Sequence, residues 1–216
     1  MGHWKLLKAL GIAGVAALLT GGCASTYTFK VDAVNNPEVE ELYSYKIVST
    51  NPEVSEEDLE FKEAAEYIKT ALSAKGMYEA PDVEHADMII DLSYGVGEPQ
   101  IEFKTYSQPV YGAWIHRGKL FRLKLVGMAE RVVPITVYQK HIRLTSRDNT
   151  QSDESEAPVQ AWSIYVKNKD ESDDLRKYLP LMAAAAIEYV GENTETQQKI
   201  KVKEDDEKVS FVKAGL

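Results

Sequence analysis

Hydrophobic residues recur along this chain at two spacings, every second position in some segments and every third or fourth position in others. Alternation is typical of a strand with one buried face, and the longer spacing is typical of a helix with one apolar side. In the strand over residues 119–126 the pattern places Phe121, Leu123 and Leu125 inward. Alternation predicts strands over residues 27–34, 43–49, 88–96, 101–106, 119–126, 135–145, 159–167, 199–203 and 208–212.

Two segments have helical spacing. The first follows an acidic start at residues 55–58, and Gly76 ends it. The second extends from Leu175 to a stop at Gly191 and contains Pro180, where we expect a kink or a restart. Two helices among many alternating strands predict an α+β fold, with a mostly antiparallel sheet and two main helices packed on one of its faces.

Composition narrows the class of protein further. The 216 residues carry 25 Lys and Arg against 34 Asp and Glu, a formal net charge of −9. This acidic balance, with no cluster of basic residues in the sequence, argues against broad nucleic-acid binding. A single cysteine, Cys23, cannot close an intrachain disulfide or form a four-cysteine metal site.

The amino-terminal segment differs from the rest of the chain. Lys5 and Lys8 precede an uncharged apolar run over residues 9–19, and Gly21 and Gly22 lead into Cys23. The run is too short to cross a bilayer as a helix, which needs about 20 residues, but it has the length of the apolar region of a signal peptide.

The segment over residues 19–23, Leu-Thr-Gly-Gly-Cys, resembles the bacterial lipoprotein signal. That resemblance implies cleavage before Cys23 and acylation of its sulfur and new amino group, with palmitate as a typical acyl chain. Ala24 follows the cysteine rather than Asp, which implies export to the periplasmic face of the outer membrane if the source is Gram-negative. An ordinary secretory signal with a chance cysteine, or an uncleaved anchor, is the alternative. The resulting organisation is a signal peptide over residues 1–22, a lipidated start and short tether over 23–28, and a single α+β domain over 29–216.

A looser resemblance covers residues 27–203. The first helix leads into Lys-Gly-Met-Tyr at 75–78, and a strand with Ala161 and Trp162 precedes the second helix and Gly-Glu-Asn-Thr at 191–194. In this order the segments are similar to the bacterial envelope-lipoprotein family called domain of unknown function 4136. The resemblance implies an α+β fold and envelope localisation, and it brings no catalytic residues.

The familiar signatures of catalysis and metal binding are missing from the sequence. No two histidines stand at metal-ligand spacing, and His85-Ala86-Asp87 alone is a weak signal. Glu98 and Glu102 are the best candidates for a carboxylate pair, and the acidic stretch over residues 147–156 lacks the glycine of a calcium loop. We therefore predict no catalytic residue, no metal site and no cofactor, and expect that the protein is not an enzyme.

The segment over residues 100–119 combines aromatic residues with Arg117, Gly and Pro. Exposed aromatic and arginine side chains are typical of binding surfaces, although the rings could instead fold back onto the core. We interpret this segment as a loop. The candidate binding residues are Tyr106, Tyr111, Trp114, His116 and Arg117.

These observations favour a non-enzymatic envelope lipoprotein, held at a membrane through Cys23, which acts by binding a protein partner or by supporting envelope assembly. The alternatives are an enzyme or glycan-binding module acting on envelope polymers, and an accessory lipoprotein of lipid transport.

Overall fold

The computed structural model describes residues 24–52, 54–116, 119–150 and 158–215, and it describes the side chains of all of these except 114–116 and 119–122. Residues 1–23, and with them Cys23 and the signal segment, lie outside the described residues. Most of the acidic stretch over 147–156 also lies outside them.

A mixed sheet of eight strands organises the described chain. In space the order is β3-β2-β4-β6-β7-β1-β8, and β5 pairs with β6 beside this path. The pairings of β2 with β3 and with β4 are parallel and the others are antiparallel, so the predicted, mostly antiparallel sheet is confirmed. The strands are β1 (Thr26–Asn35), β2 (Ser44–Ser49), β3 (Tyr78–Glu79), β4 (Met88–Val96), β5 (Gln100–His116), β6 (Lys119–Asp148), β7 (Gln160–Asp170) and β8 (Gln198–Lys203).

Three α-helices accompany the sheet in the described chain, so the predicted number of two main helices was too low. They are α1 (Leu59–Ser73), α2 (Leu175–Ala186) and α3 (Glu207–Lys213). The α1 helix crosses between the parallel strands β2 and β4, as a parallel pair requires. Its stripe of predicted apolar positions, from Phe61 to Leu72, is buried. Gly76, at φ 77°, allows the left-handed turn that follows the helix.

The α2 helix lies at the centre of the helical layer. It contacts α1, α3 and strands β1, β6 and β7, and every residue from Tyr178 to Ala186 is buried. We expected a kink or a restart at Pro180, and the restart is wrong: the helix continues through this residue, because proline in the second turn removes only one hydrogen bond near the amino end. It ends at Ala186, followed by a 3-10 turn over Ile187–Tyr189, before Gly191 turns the chain at φ 74°.

The predicted strand over residues 208–212 is wrong, because this segment lies in α3. The carboxylate of Asp206 accepts a hydrogen bond from the Lys208 backbone N–H at the start of the helix. Val209 and Val212, three positions apart, are the residues that it buries. A segment this short is compatible with both the strand spacing and the helix spacing of apolar residues. Packing against α1 and α2 favours the helix.

The segment over residues 100–146 also differs from the prediction. The predicted loop and the three separate strands over 101–106, 119–126 and 135–145 are two long strands, β5 of 17 residues and β6 of 30 residues. The interpretation of 100–119 as a Gly and Pro loop is therefore wrong. Leu123 and Leu125, expected to point inward, are 65% and 52% exposed, because this part of β6 lies beyond the main sheet. The side chain of Phe121 lies outside the description.

Candidate functional site: a projecting two-stranded arm

The outstanding surface feature is a two-stranded ribbon, which we call the arm. It consists of β5 and the first part of β6, residues 100–116 and 119–137, paired in antiparallel register from Gln100 and Val137 to His116 and Lys119. At about 3.3 Å per residue, its 17-residue strand is about 55 Å long. Nearly every described side chain from residue 100 to 113 and from 123 to 132 is exposed, on both faces of the ribbon.

One face of the arm is mainly apolar. Residues directly opposite each other in an antiparallel pair share a face, and Phe103 lies opposite Pro134, Pro109 opposite Met128 and Tyr111 opposite Leu125. Ile101 and Phe103 are 71% and 73% exposed. We call this surface the apolar face of the arm; its members are Ile101, Phe103, Pro109, Tyr111, Leu123, Leu125, Met128, Val132 and Pro134.

A β-bulge at Val126 extends this face toward the tip of the arm. Val110 pairs with Gly127 and Tyr111 pairs with Leu125, which leaves Val126 as an extra residue in β6. The extra residue exchanges the two faces of β6 from that point toward the tip, so that Leu125 lies on the same face as Met128. A Cβ atom on Gly112 would come 2.6 Å from Cγ1 of Val126, which explains the glycine opposite the bulge.

The five predicted binding residues do not form one surface within the described residues. Tyr106 and Tyr111 are exposed, so these two rings do not fold back onto the core. They lie on opposite faces of the arm, because five positions separate them along one strand. Trp114 and His116 belong to β5 near the tip, where their backbones pair with Arg122 and Lys119, but their side chains lie outside the description. Arg117 lies outside the described residues.

Three acidic residues surround a cleft of about 580 Å³ at the base of the arm. Each of them has a lysine partner: Glu102 pairs with Lys169, Glu171 with Lys104 at 3.3 Å and Asp170 with Lys140 at 2.8 Å. The first two of these ion pairs connect the arm to β7 and to the segment that follows it.

Lys140 is the centre of a buried polar cluster behind this cleft. It is completely buried (0% exposed), and its ammonium lies 4.3 Å from the centre of the Tyr178 ring and donates to the backbone carbonyl of Ser172. The Tyr178 hydroxyl donates to Asp170 over 2.6 Å. The cluster thereby joins β6, the end of β7 and α2.

The electrostatics of the cluster favour an ionised Asp170. Burial raises the pKa of its carboxyl, but hydrogen bonds from Lys140 and Tyr178 and the charge of Lys140 outweigh this and leave the pKa below its ordinary value. Burial and the hydrogen bond to Asp170 raise the pKa of the Tyr178 hydroxyl. Asp170 is thus favoured as a carboxylate and Tyr178 as a neutral phenol.

The remaining sequence candidates do not converge on one place. The side chain of His85 contacts Asp82 over 2.6 Å on an exposed turn. Glu98 lies on the exposed connection between β4 and β5, away from the lysine that holds Glu102. No group of three or more potential ligands that could hold a metal ion occurs in the part of the chain that the structure describes. In the same part, no helix combines the length and apolarity that crossing a membrane requires.

Sequence reasoning missed Lys140, because nothing local distinguishes a buried lysine from the exposed lysines at other strand positions. The alternation of β6 placed it with Ile142 and Leu144 on the buried face, and that signal could have found it.

Comparisons with known proteins add little to this picture. No family model matches the chain, and no curated protein matches it. Among solved structures, the chain is similar to a PDZ domain protein from Parabacteroides distasonis, with a TM-score of 0.41 and 13% sequence identity. The likeness covers 89% of this chain, and the chain spans 42% of the length of that structure. The resemblance to the domain of unknown function 4136 family stays a prediction.

Proposed function

We propose that this chain is a non-enzymatic, membrane-anchored envelope lipoprotein that binds a partner protein through the apolar face of the arm. The observation that carries the proposal is the exposure of this face, on which Ile101, Phe103 and Leu123 are each more than 60% accessible to water. Exposed apolar surface of this extent marks an interaction site, and two-stranded ribbons are marginally stable without a neighbour. A partner that covers the face would bury the exposed apolar side chains and would stabilise the two-stranded ribbon.

The paired acids at the base of the arm favour a binding role over an enzymatic one. Acid–base chemistry on envelope polymers needs a carboxyl group free to exchange its proton. Glu102, Asp170 and Glu171 instead each contact a lysine. The pairs of Glu102 and Glu171 lie at the base of the arm, where they connect it to β7 and to the segment that follows.

Replacing Cys23 tests the anchor. Cys23→Ser removes the sulfur that would carry the lipid, and we expect loss of acyl labelling and release of the protein from the membrane fraction of its native host. Ser25→Ala, two positions away, is the matched control and should retain both label and anchoring. Membrane association of the serine variant without label would contradict the lipoprotein assignment.

Site-specific photo-crosslinking in living cells tests the arm. A photoreactive residue at Phe103 or Met128, on the apolar face, should give a discrete protein adduct. The same residue at Gln108 or Arg131, on the opposite face of the same strands, should give roughly tenfold less, because that face is turned away from the partner. The adduct identified by mass spectrometry names the partner.

Equal adducts from both faces, or no protein adduct from either, would contradict partner binding through the apolar face. The four positions are exposed, so none of the replacements disturbs the core.

A further inference from the structure

The face of the main sheet that points away from the helices carries a concentration of positive charge. Alternate residues of β1, β6, β7 and β8 point toward this side, since the residues between them enter the core. We call this surface the basic face. Its cations are Lys30, Arg143, Lys167, Lys199, Lys201 and Lys203.

Three of these lysines lie side by side across three strands. Lys30 of β1 is directly opposite Lys167 of β7 on one side and Lys199 of β8 on the other. Cβ atoms in such pairs are about 5 Å apart, and like charges directly opposite each other are destabilising. An anion lying over the three lysines would offset this repulsion.

The neighbouring side chains leave most of this charge uncompensated. Within the described residues, no carboxylate lies within 4.0 Å of the six cations of the basic face. The acids on the same side are Asp32, two positions from Lys30 along β1, Asp91, which is paired with Arg147, and Glu102, which is paired with Lys169. The chain as a whole has a formal charge of −9, so the basic face opposes the overall charge.

An aromatic ring lies within this cationic surface. The Tyr165 ring centre lies 4.7 Å from the Arg143 guanidinium carbon and 5.4 Å from the Lys167 ammonium. His141, opposite Lys167, has its pKa lowered by burial and by Arg143, so its neutral form is favoured and it adds little charge. A tyrosine among lysines and arginine suits an interface between water and lipid headgroups.

The position of the basic face relative to Cys23 favours a membrane as its occupant. Three peptide steps, at most about 11 Å, separate Cys23 from Thr26 at the start of β1. Lys203 lies opposite Thr26 and Lys201 opposite Thr28, so the basic face begins at the tethered end of the sheet. A lipid on Cys23 would hold these lysines within reach of the headgroup layer.

We propose that the basic face docks on the anionic headgroups of the bilayer to which Cys23 is attached, so that the sheet lies against the membrane. This inference rests on the proposed lipid anchor. The anchor supplies permanent attachment, and the cations set the orientation of the domain by their attraction to headgroup phosphates.

Lysine labelling of the full acylated chain in vesicles tests the orientation. The protein is reconstituted into vesicles of phosphatidylcholine alone or with about 30% phosphatidylglycerol, and is treated with a membrane-impermeant amine reagent. We expect Lys30, Lys167 and Lys199 to react roughly fivefold more slowly on the anionic vesicles, and about 0.5 M salt to restore their reactivity. Lys75 and Lys213, which are exposed elsewhere, should react equally on both.

A charge-reversed variant provides the matched comparison. Lys30→Glu with Lys199→Glu should abolish the protection of Lys167, whereas Lys75→Glu with Lys213→Glu, an equal change in net charge, should preserve it. Equal labelling of Lys167 on both kinds of vesicle would overturn the inference. Protection in native membranes but not on anionic vesicles would also overturn it, in favour of an acidic protein partner.

The same mass spectra separate this inference from the lipoprotein assignment. The mass of the peptide that contains Cys23 reports acylation directly. An acylated Cys23 with unprotected lysines leaves the anchor intact and overturns the docking alone, whereas an unmodified Cys23 overturns the anchor. The docking, which rests on the anchor, is then overturned together with it.

Discussion

At the scale of single residues, Lys140 stands out because it carries a charge at a fully buried position in the sheet. Removing a charge from water is costly, and only close partners offset that cost. Asp170 supplies the opposite charge at 2.8 Å, Ser172 a carbonyl and Tyr178 the face of its ring. The lysine therefore fixes the position of the β7 end and of α2 relative to β6, where the arm leaves the sheet.

Replacing Lys140 should destabilise the domain. We expect Lys140→Met to lower the free energy of unfolding by about 2–3 kcal/mol, less than for a fully buried pair because Asp170 is partly exposed. The midpoint of urea unfolding measures this loss, provided that the slope of the unfolding free energy against urea concentration is unchanged. Lys104→Met, which breaks the exposed pair with Glu171, is the control and should change the midpoint little.

A double variant identifies the cause. Lys140→Met with Asp170→Asn removes the unpaired carboxylate and should recover part of the lost stability. If the double variant is less stable than the single one by the full cost of Asp170→Asn alone, the ion pair is not the stabilising interaction.

At the scale of elements, the apolar face of the arm continues toward the tip because of one additional residue. The bulge at Val126 brings Leu123 and Leu125 to the face of Met128 and Val132, which regular alternation would place on the opposite side. The composition of β6 alone therefore does not define the surface that a partner would meet; the register with β5 does.

Deleting Val126 tests this origin. The deletion restores regular alternation, and Leu125 should then move to the other face, so that a photoreactive residue in its place loses its adduct. A photoreactive residue at Phe103, on the base side of the bulge, should retain its adduct. Val126→Ala keeps the bulge and should retain both. An undiminished adduct at the Leu125 position after the deletion would contradict the proposed role of the bulge.

At the scale of the whole molecule, the main sheet could be predicted from the sequence and the arm could not. The alternation in β1, β4 and β7 and the stripe of α1 have their apolar positions in the core, as expected. Leu123 and Leu125 follow the same local pattern, yet they are exposed. Local spacing shows which residues share a face, but only the arrangement of the other elements decides whether that face is covered.

The candidate sites show the same division between local and distant information. The exposure of Tyr111 was among the sequence hypotheses, but its grouping with Leu125 depends on pairing across the arm. The basic face depends on the registers of β1 with β7 and with β8, which bring Lys30 together with Lys167 and Lys199 from far along the chain. No scan of neighbouring residues detects a charge cluster of this kind.

The unbroken course of β6 has a mechanical consequence. The strand continues for 30 residues from the tip of the arm into the main sheet, where it is bonded to β4 and β7. Between Gly127 and the start of the pairing with β4, β6 has no register shift. A bound protein that pulls on this part of the arm would therefore transmit the force along β6 to β4 and β7 rather than to a loop.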